Sequence, residues 1–149
     1  MCNFGCATPE VVLYTESMDN AFNWYSTLIR PSWAPPSWLF GPVWTVLYMG
    51  IAVSFGRVFY LAWKKKLPSR VALPFALNLI FNAAFTPLQF GLKNNLLAAI
   101  DILLVLITIL WSMRAVHKHV RWIALAQIPY LIWVSFATIV QLTITYLNL

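Results

Sequence analysis

The 149-residue sequence predicts an all-α fold, a polytopic transmembrane helical bundle, and three observations carry that prediction. Hydrophobic residues make up 61% of the chain and charged residues only 9%, where a soluble domain carries roughly 25% charged residues. Mean hydropathy is +0.74. The apolar residues also gather into four runs, each near the 20 or so residues that a bilayer core requires. So little polar surface excludes a soluble, disordered or collagen-like chain. The 8 Trp are a separate oddity, more than lipid anchoring of so short a chain needs.

Residues 1–23 hold only the short apolar run Val11-Val12-Leu13-Tyr14. That is too little for a span or a cleavable signal, so a non-spanning N-terminal segment is expected ahead of one membrane domain, residues 24–149. Cys2 and Cys6 have no His nearby and give only a weak metal signal. Residues 23–38 read NWYSTLIRPSWAPPSW. This stretch is too polar and proline-rich to span, and its prolines stiffen it without a hydrogen-bond ladder. It is either an interfacial aromatic belt or a lid over one mouth of the bundle.

The four spans are expected at residues 39–63, 71–90, 96–113 and 122–147. Their only charged residues are Arg57, close enough to a helix end to snorkel, and Asp101. Prolines 42, 74, 87 and 129 are tolerable in packed membrane helices. The short connections make consecutive spans antiparallel neighbours. Seven basic residues occupy the links 64–70 and 114–121, against Arg30 and Lys93 on the other side. Both basic links are therefore expected in the cytoplasm, with the N-terminal segment and C-terminus outside. His117 and His119 read as solvated loop histidines.

Counting 1.5 Å per residue from the outer ends puts Trp44 and Tyr48 about 8 and 14 Å deep, and Asn82 and Asn78 about 12 and 18 Å. Asp101 and Gln141 fall at about 8 and 9 Å, with Ala137 and Trp133 at about 15 and 21 Å. The outer half thus gathers the polar groups, while the inner half is expected to be nearly dry apart from Arg57. Pairs four apart share a helix face: Trp44 with Tyr48, Asn78 with Asn82, and Trp133 with Ala137 and Gln141. These stripes either line one apolar, aromatic cavity suited to a flat ligand or act as interhelical glue. For Asp101, glue is the stronger case, with its carboxyl accepting from a neighbouring amide or indole.

The stretch WYSTLIRPSWAPPSWLFGPVWTVLYMGIA, residues 24–52, resembles the signature of the TspO/translocator-protein family of tryptophan-rich sensory proteins and peripheral benzodiazepine receptors. Residues 76–109 and 128–148 extend the resemblance over nearly everything from Trp24 onward. It implies a helical membrane protein, often dimeric, that binds porphyrins and haem-related tetrapyrroles, sterols and benzodiazepine-type ligands. Carried over, the lining would take Trp24, Tyr25 and Pro35 from the loop. It would take Trp44 and Tyr48 from the first span, Asn78 and Asn82 from the second, and Trp133 and Ala137 from the last.

The family has five helices, so the first is expected to be missing or replaced here. Its C-terminal sterol pattern is also absent after Tyr146. A formal match at VFYLAWK, residues 58–64, reads as an interfacial helix end.

The leading expectation is a receptor or sensor in a bacterial inner membrane that regulates tetrapyrrole or stress responses. It would have no obligatory cofactor and take a porphyrin or haem-type ligand. Light-dependent porphyrin degradation is the alternative, since the spans show no Ser/His/Asp set, metal cluster or paired carboxylates. Porphyrin or sterol transport ranks below it, and nucleic acid is not an expected partner. The pair Ala52 and Gly56 permits close helix approach and marks a candidate homodimer contact.

Overall fold

Four apolar rods pack up and down in the structure, a computed structural model that describes residues 24–148. The expectations for residues 1–23, including the missing span and the two cysteines, lie outside the described residues. Helix α1 runs Ser37–Trp63, entered from Pro36 at φ −62° and ψ 144°. The proline ring fixes that extended approach. Helix α2, Ser69–Thr86, is entered from Pro68 in the same way and continues into one π turn, Pro87–Gly91. There the Leu92 N–H donates to the Pro87 carbonyl at 2.9 Å.

Helix α3, Asn95–His117, is capped by the Asn94 side chain, which accepts from the Leu97 N–H at 3.0 Å. It runs beyond the expected end at 113 because nothing breaks it and fully buried Val116 keeps the last turn packed. The last span divides into α4, Arg121–Ala126, and α5, Ile128–Leu147, parted at Gln127. Pro129 sits in the first turn of α5, where a missing N–H costs nothing.

All four spans are long and apolar enough to cross a membrane, and the protein is an integral membrane protein. Lipid is as apolar as the side chains, so packing and interhelical hydrogen bonds hold such a bundle together. Helices α2, α3 and α5 form its centre. Helix α1 lies at the margin, fastened by Phe55 edge-on to Phe75 of α2 at 4.8 Å.

The half nearer the basic links, expected to be nearly dry, is not: buried Ser112 lies 2.8 Å from the Gln127 side-chain oxygen, while the Gln127 amide nitrogen has no partner among the described residues. The break between α4 and α5 brings Gln127 against α3, which residue counting along an unbroken span does not show.

Helix α1 ends in a Schellman-type cap, with Lys65 N–H on Ala62 O (3.0 Å) and Lys66 N–H on Leu61 O (2.9 Å). Its left-handed residue is Lys65, at φ 53°, a conformation that disfavours any side chain with a Cβ. Lys65→Gly is therefore expected to stabilise the protein by about 1 kcal/mol. Unfolding in mixed micelles measures this, and an unchanged or lowered midpoint would show that the turn carries no strain.

Candidate functional site

A cavity of about 350 Å³ opens between the spans at the end opposite the basic links. Its aromatic wall follows from helix periodicity: Phe40, Trp44 and Tyr48 recur every four residues on α1 and face inward together. The Trp44 and Tyr48 rings lie 5.2 Å apart at 31°, and Trp44 also meets Tyr130 edge-on at 6.3 Å. Phe85 of α2 and Phe90 of the π turn stand in the same wall, with Val105 and Val134 behind. Ala137 on α5 takes little volume and leaves room at its level.

Two polar clusters interrupt this apolar surface. The first is a directed chain of hydrogen bonds. Tyr48 OH donates to Asn82 Oδ1 (2.9 Å), Asn82 Nδ2 to Tyr130 OH (2.8 Å), and Tyr130 OH to Asn78 Oδ1 (3.0 Å). Asn78 Nδ2 then donates to Thr108 Oγ1 (2.9 Å) and the Val105 carbonyl (3.1 Å). The chain draws on all four spans, beginning on the cavity wall and ending inside the core. Among the described residues no side chain takes the second amide hydrogen of Asn82, which leaves a donor for a ligand carbonyl.

The second cluster joins Gln141 Nε2 to Gln89 Oε1 (3.0 Å) and Gln89 Nε2 to Asn95 Oδ1 (3.1 Å). Both glutamines are buried and both line the cavity.

The mouth is shaped by the segment before α1. Tyr25, in the helical turn of residues 24–27, packs its ring on Phe90 at 5.8 Å. The Arg30 guanidinium lies 5.5 Å from the Tyr25 ring centre. Burial pushes the Tyr25 phenol above its usual range, and the Arg30 charge offsets part of that rise.

The segment is tied down at Ile29, whose N–H and carbonyl both bond the Asn148 side chain at 3.0 Å. Asn148 thereby joins the segment to the end of α5. Asn148→Ala is expected to loosen it by about 1–2 kcal/mol, read as faster hydrogen exchange at the Ile29 amide. Unchanged exchange there would mean that the Asn148 clasp does not hold the segment.

The two sequence readings of this segment divide between its residues. Trp38 is 71% exposed and Trp33 is 50% exposed, as a belt requires, while Tyr25 forms part of the cavity wall.

Of the nine expected lining residues, Tyr25, Trp44, Tyr48, Asn82 and Ala137 line the cavity. The other four stand off it. Trp24 is half-buried in the turn beside Tyr25. Pro35 borders a shallow hollow within the loop, with Arg30 and Pro31. Asn78 is fully buried behind Tyr130 and Asn82. Trp133 packs on Phe40 (5.7 Å) and Phe136 (5.9 Å), one layer out, and its indole N–H has no partner among the described residues.

Asp101 departs from its expected role as glue, since its buried Oδ2 has no hydrogen-bond partner among the described residues. Sequence reasoning missed Phe40, Phe85, Gln89 and Phe90. A Gln two residues after Pro87, at the end of an apolar run, was the available sign for the last pair.

Among the described residues no group of three His, Cys, Asp or Glu could hold a metal ion. The cavity wall itself offers aromatic faces for stacking and amide and hydroxyl groups for hydrogen bonding.

Residues 4–147 match the family model described as the TspO/MBR family. The chain is 38% identical over 125 residues to the tryptophan-rich protein TspO of Chlorobaculum tepidum, covering 84% of this chain and 79% of that one. It is 40% identical to the tryptophan-rich protein TspO of Bacillus cereus, covering 84% and 80%. With the human translocator protein it shares 32% identity over 147 residues, covering 91% and 79%.

Proposed function

This chain belongs to the TspO/MBR family, and from that premise we propose that it is a membrane receptor or sensor for flat, apolar, aromatic ligands of the tetrapyrrole class. The observation that carries the reading is the aromatic cavity with a Trp44–Tyr48 slab on one side and the Asn82 amide beside it. Stacking on Trp and Tyr supplies contact area, and Asn82 supplies orientation by donating to a ligand carbonyl or accepting from a ring N–H.

Small-molecule sites run from about 300 to 1,000 Å³, and this cavity of about 350 Å³ is at the small end. A bicyclic or tricyclic body fits whole. A tetrapyrrole enters by one edge, with the remainder emerging past Tyr25, where Arg30 meets a propionate. Trp24, Pro35, Trp133 and Asn78 serve this site by holding its walls and mouth rather than by touching the ligand.

The seven basic residues of the two links support a topology with those links in the cytoplasm and the cavity opening outward, the membrane being read as a bacterial inner membrane. Ala52 and Gly56 lie exposed on α1, with open space where a Gly56 side chain would begin. This supports a homodimer through that face, to be tested by cross-linking in mild detergent.

Protoporphyrin titration followed by tryptophan fluorescence tests the ligand class, and saturable quenching with one site per chain is expected. Linear, unsaturable quenching equal to that of free tryptophan would end the proposal. A second reading, light-driven breakdown of the bound pigment, draws on the oxidisable side chains Trp44, Tyr48 and Tyr130 clustered at the site. Bleaching of the illuminated complex faster than free porphyrin separates it from binding alone.

A further inference from the structure

At the opposite end of the bundle from the cavity, α1 carries a second constellation. Arg57 lies six residues before the end of α1 at Trp63, about 9 Å inside that end at 1.5 Å per residue. It is exposed on the outside of the bundle, on the same stripe as Val53 (66% exposed), Tyr60 (49% exposed) and Lys64. In a membrane that surface meets lipid. The Arg57 guanidinium sits 5.6 Å from the Tyr60 ring centre and the Lys64 ammonium 5.9 Å from the same centre. Two cations thus converge on one aromatic ring at the depth where hydrocarbon gives way to headgroups.

Nothing in the described chain balances them. Asp101 is the one acid among the described residues, and it lies near the beginning of α3, toward the cavity end. A cation inside a span is costly and normally pairs with something. The ring face attracts both cations, but it supplies no negative charge to neutralise theirs. An anion placed between them does. Because the site faces lipid and shares its stripe with exposed Val53 and Tyr60, that anion comes attached to acyl chains.

We propose that Arg57, Tyr60 and Lys64 form a binding site for the phosphate of an anionic phospholipid in the leaflet that faces the basic links. Arg57 grips the phosphate oxygens with its planar fork, and Lys64 holds the headgroup from the water side. The Tyr60 ring keeps both cations in place, and Val53 packs against an acyl chain. The site is separate from the cavity and does not depend on what the cavity binds.

The test places the protein in nanodiscs of mixed phosphatidylglycerol and phosphatidylcholine, transfers it to mild detergent, and counts retained lipids by native mass spectrometry. Phosphatidylglycerol is expected to be retained selectively. Arg57→Gln is expected to reduce that selectivity about tenfold, as loss of a charged hydrogen bond implies. Lys118→Gln, in the other basic link, should leave it unchanged. Should Arg57→Gln fail to fold, Lys64→Gln and Tyr60→Leu, at exposed positions, each report a several-fold loss.

Equal retention of the two lipids by the parent protein, or full selectivity in Arg57→Gln, would overturn the proposal. So would displacement of the lipid by millimolar inorganic phosphate, which would assign the site to a free anion.

Discussion

Trp44→Ala is expected to weaken porphyrin binding roughly 30-fold or more, the loss typical of a buried aromatic anchor. Trp44 is singled out because it is both a wall of the cavity and the centre of its aromatic packing, touching Tyr48 and Tyr130. Alanine there removes the stacking face and frees the Tyr48 ring to turn, so the ligand loses contact area and a positioned neighbour together. Trp133→Ala, one layer behind Phe40, should cost several-fold less, and lipid-facing Trp111→Ala should cost nothing. Calorimetry or fluorescence quenching in detergent distinguishes the three. An affinity within twofold of the parent protein in Trp44→Ala would show that the ligand binds elsewhere.

The second large effect concerns stability. Asn78 is fully buried and joins Tyr130 of α5 to Thr108 and Val105 of α3. Its three interhelical hydrogen bonds average about 0.6 kcal/mol each in a membrane, and Asn78→Leu also leaves the Tyr130 hydroxyl without its acceptor. The expected cost is about 2–3 kcal/mol, measured by unfolding in mixed micelles. Tyr48→Phe, which removes only the exposed first link of the same chain, should cost less than about 1 kcal/mol. Equal losses in the two variants would mean that the buried links hold nothing the outer link does not.

Much of the site was legible because helix geometry is periodic. Short links force antiparallel neighbours, so counting 1.5 Å per residue placed Trp44, Tyr48, Asn82 and Ala137 at compatible depths, and all four line the cavity. Asn78 shows the limit. It shares a helix face with Asn82, yet one turn deeper that face has closed onto α3 and α5. Periodicity fixes the direction of a side chain but not the distance to the next helix along that direction. Trp133 stands off the cavity for the same reason, packed on Phe40, which itself lines the open space. Gln89 and Phe90 were hidden by the π turn after Pro87, where the helical register changes.

Composition alone determined that this is a membrane bundle, because a chain with 9% charged residues has too little polar surface for water. Four apolar runs determined the number of spans in the described region, and the residues from Trp24 onward carried the family likeness that the match over residues 4–147 established. Only the tertiary structure decided which polar groups face a ligand and which face one another. It also joined Ile29 to Asn148 across 119 residues and brought Gln127 to Ser112 at the break in the last span. The physical reason is that hydrophobicity and chain length act locally, whereas hydrogen-bond partners and cavities arise from the rotation and spacing of whole helices.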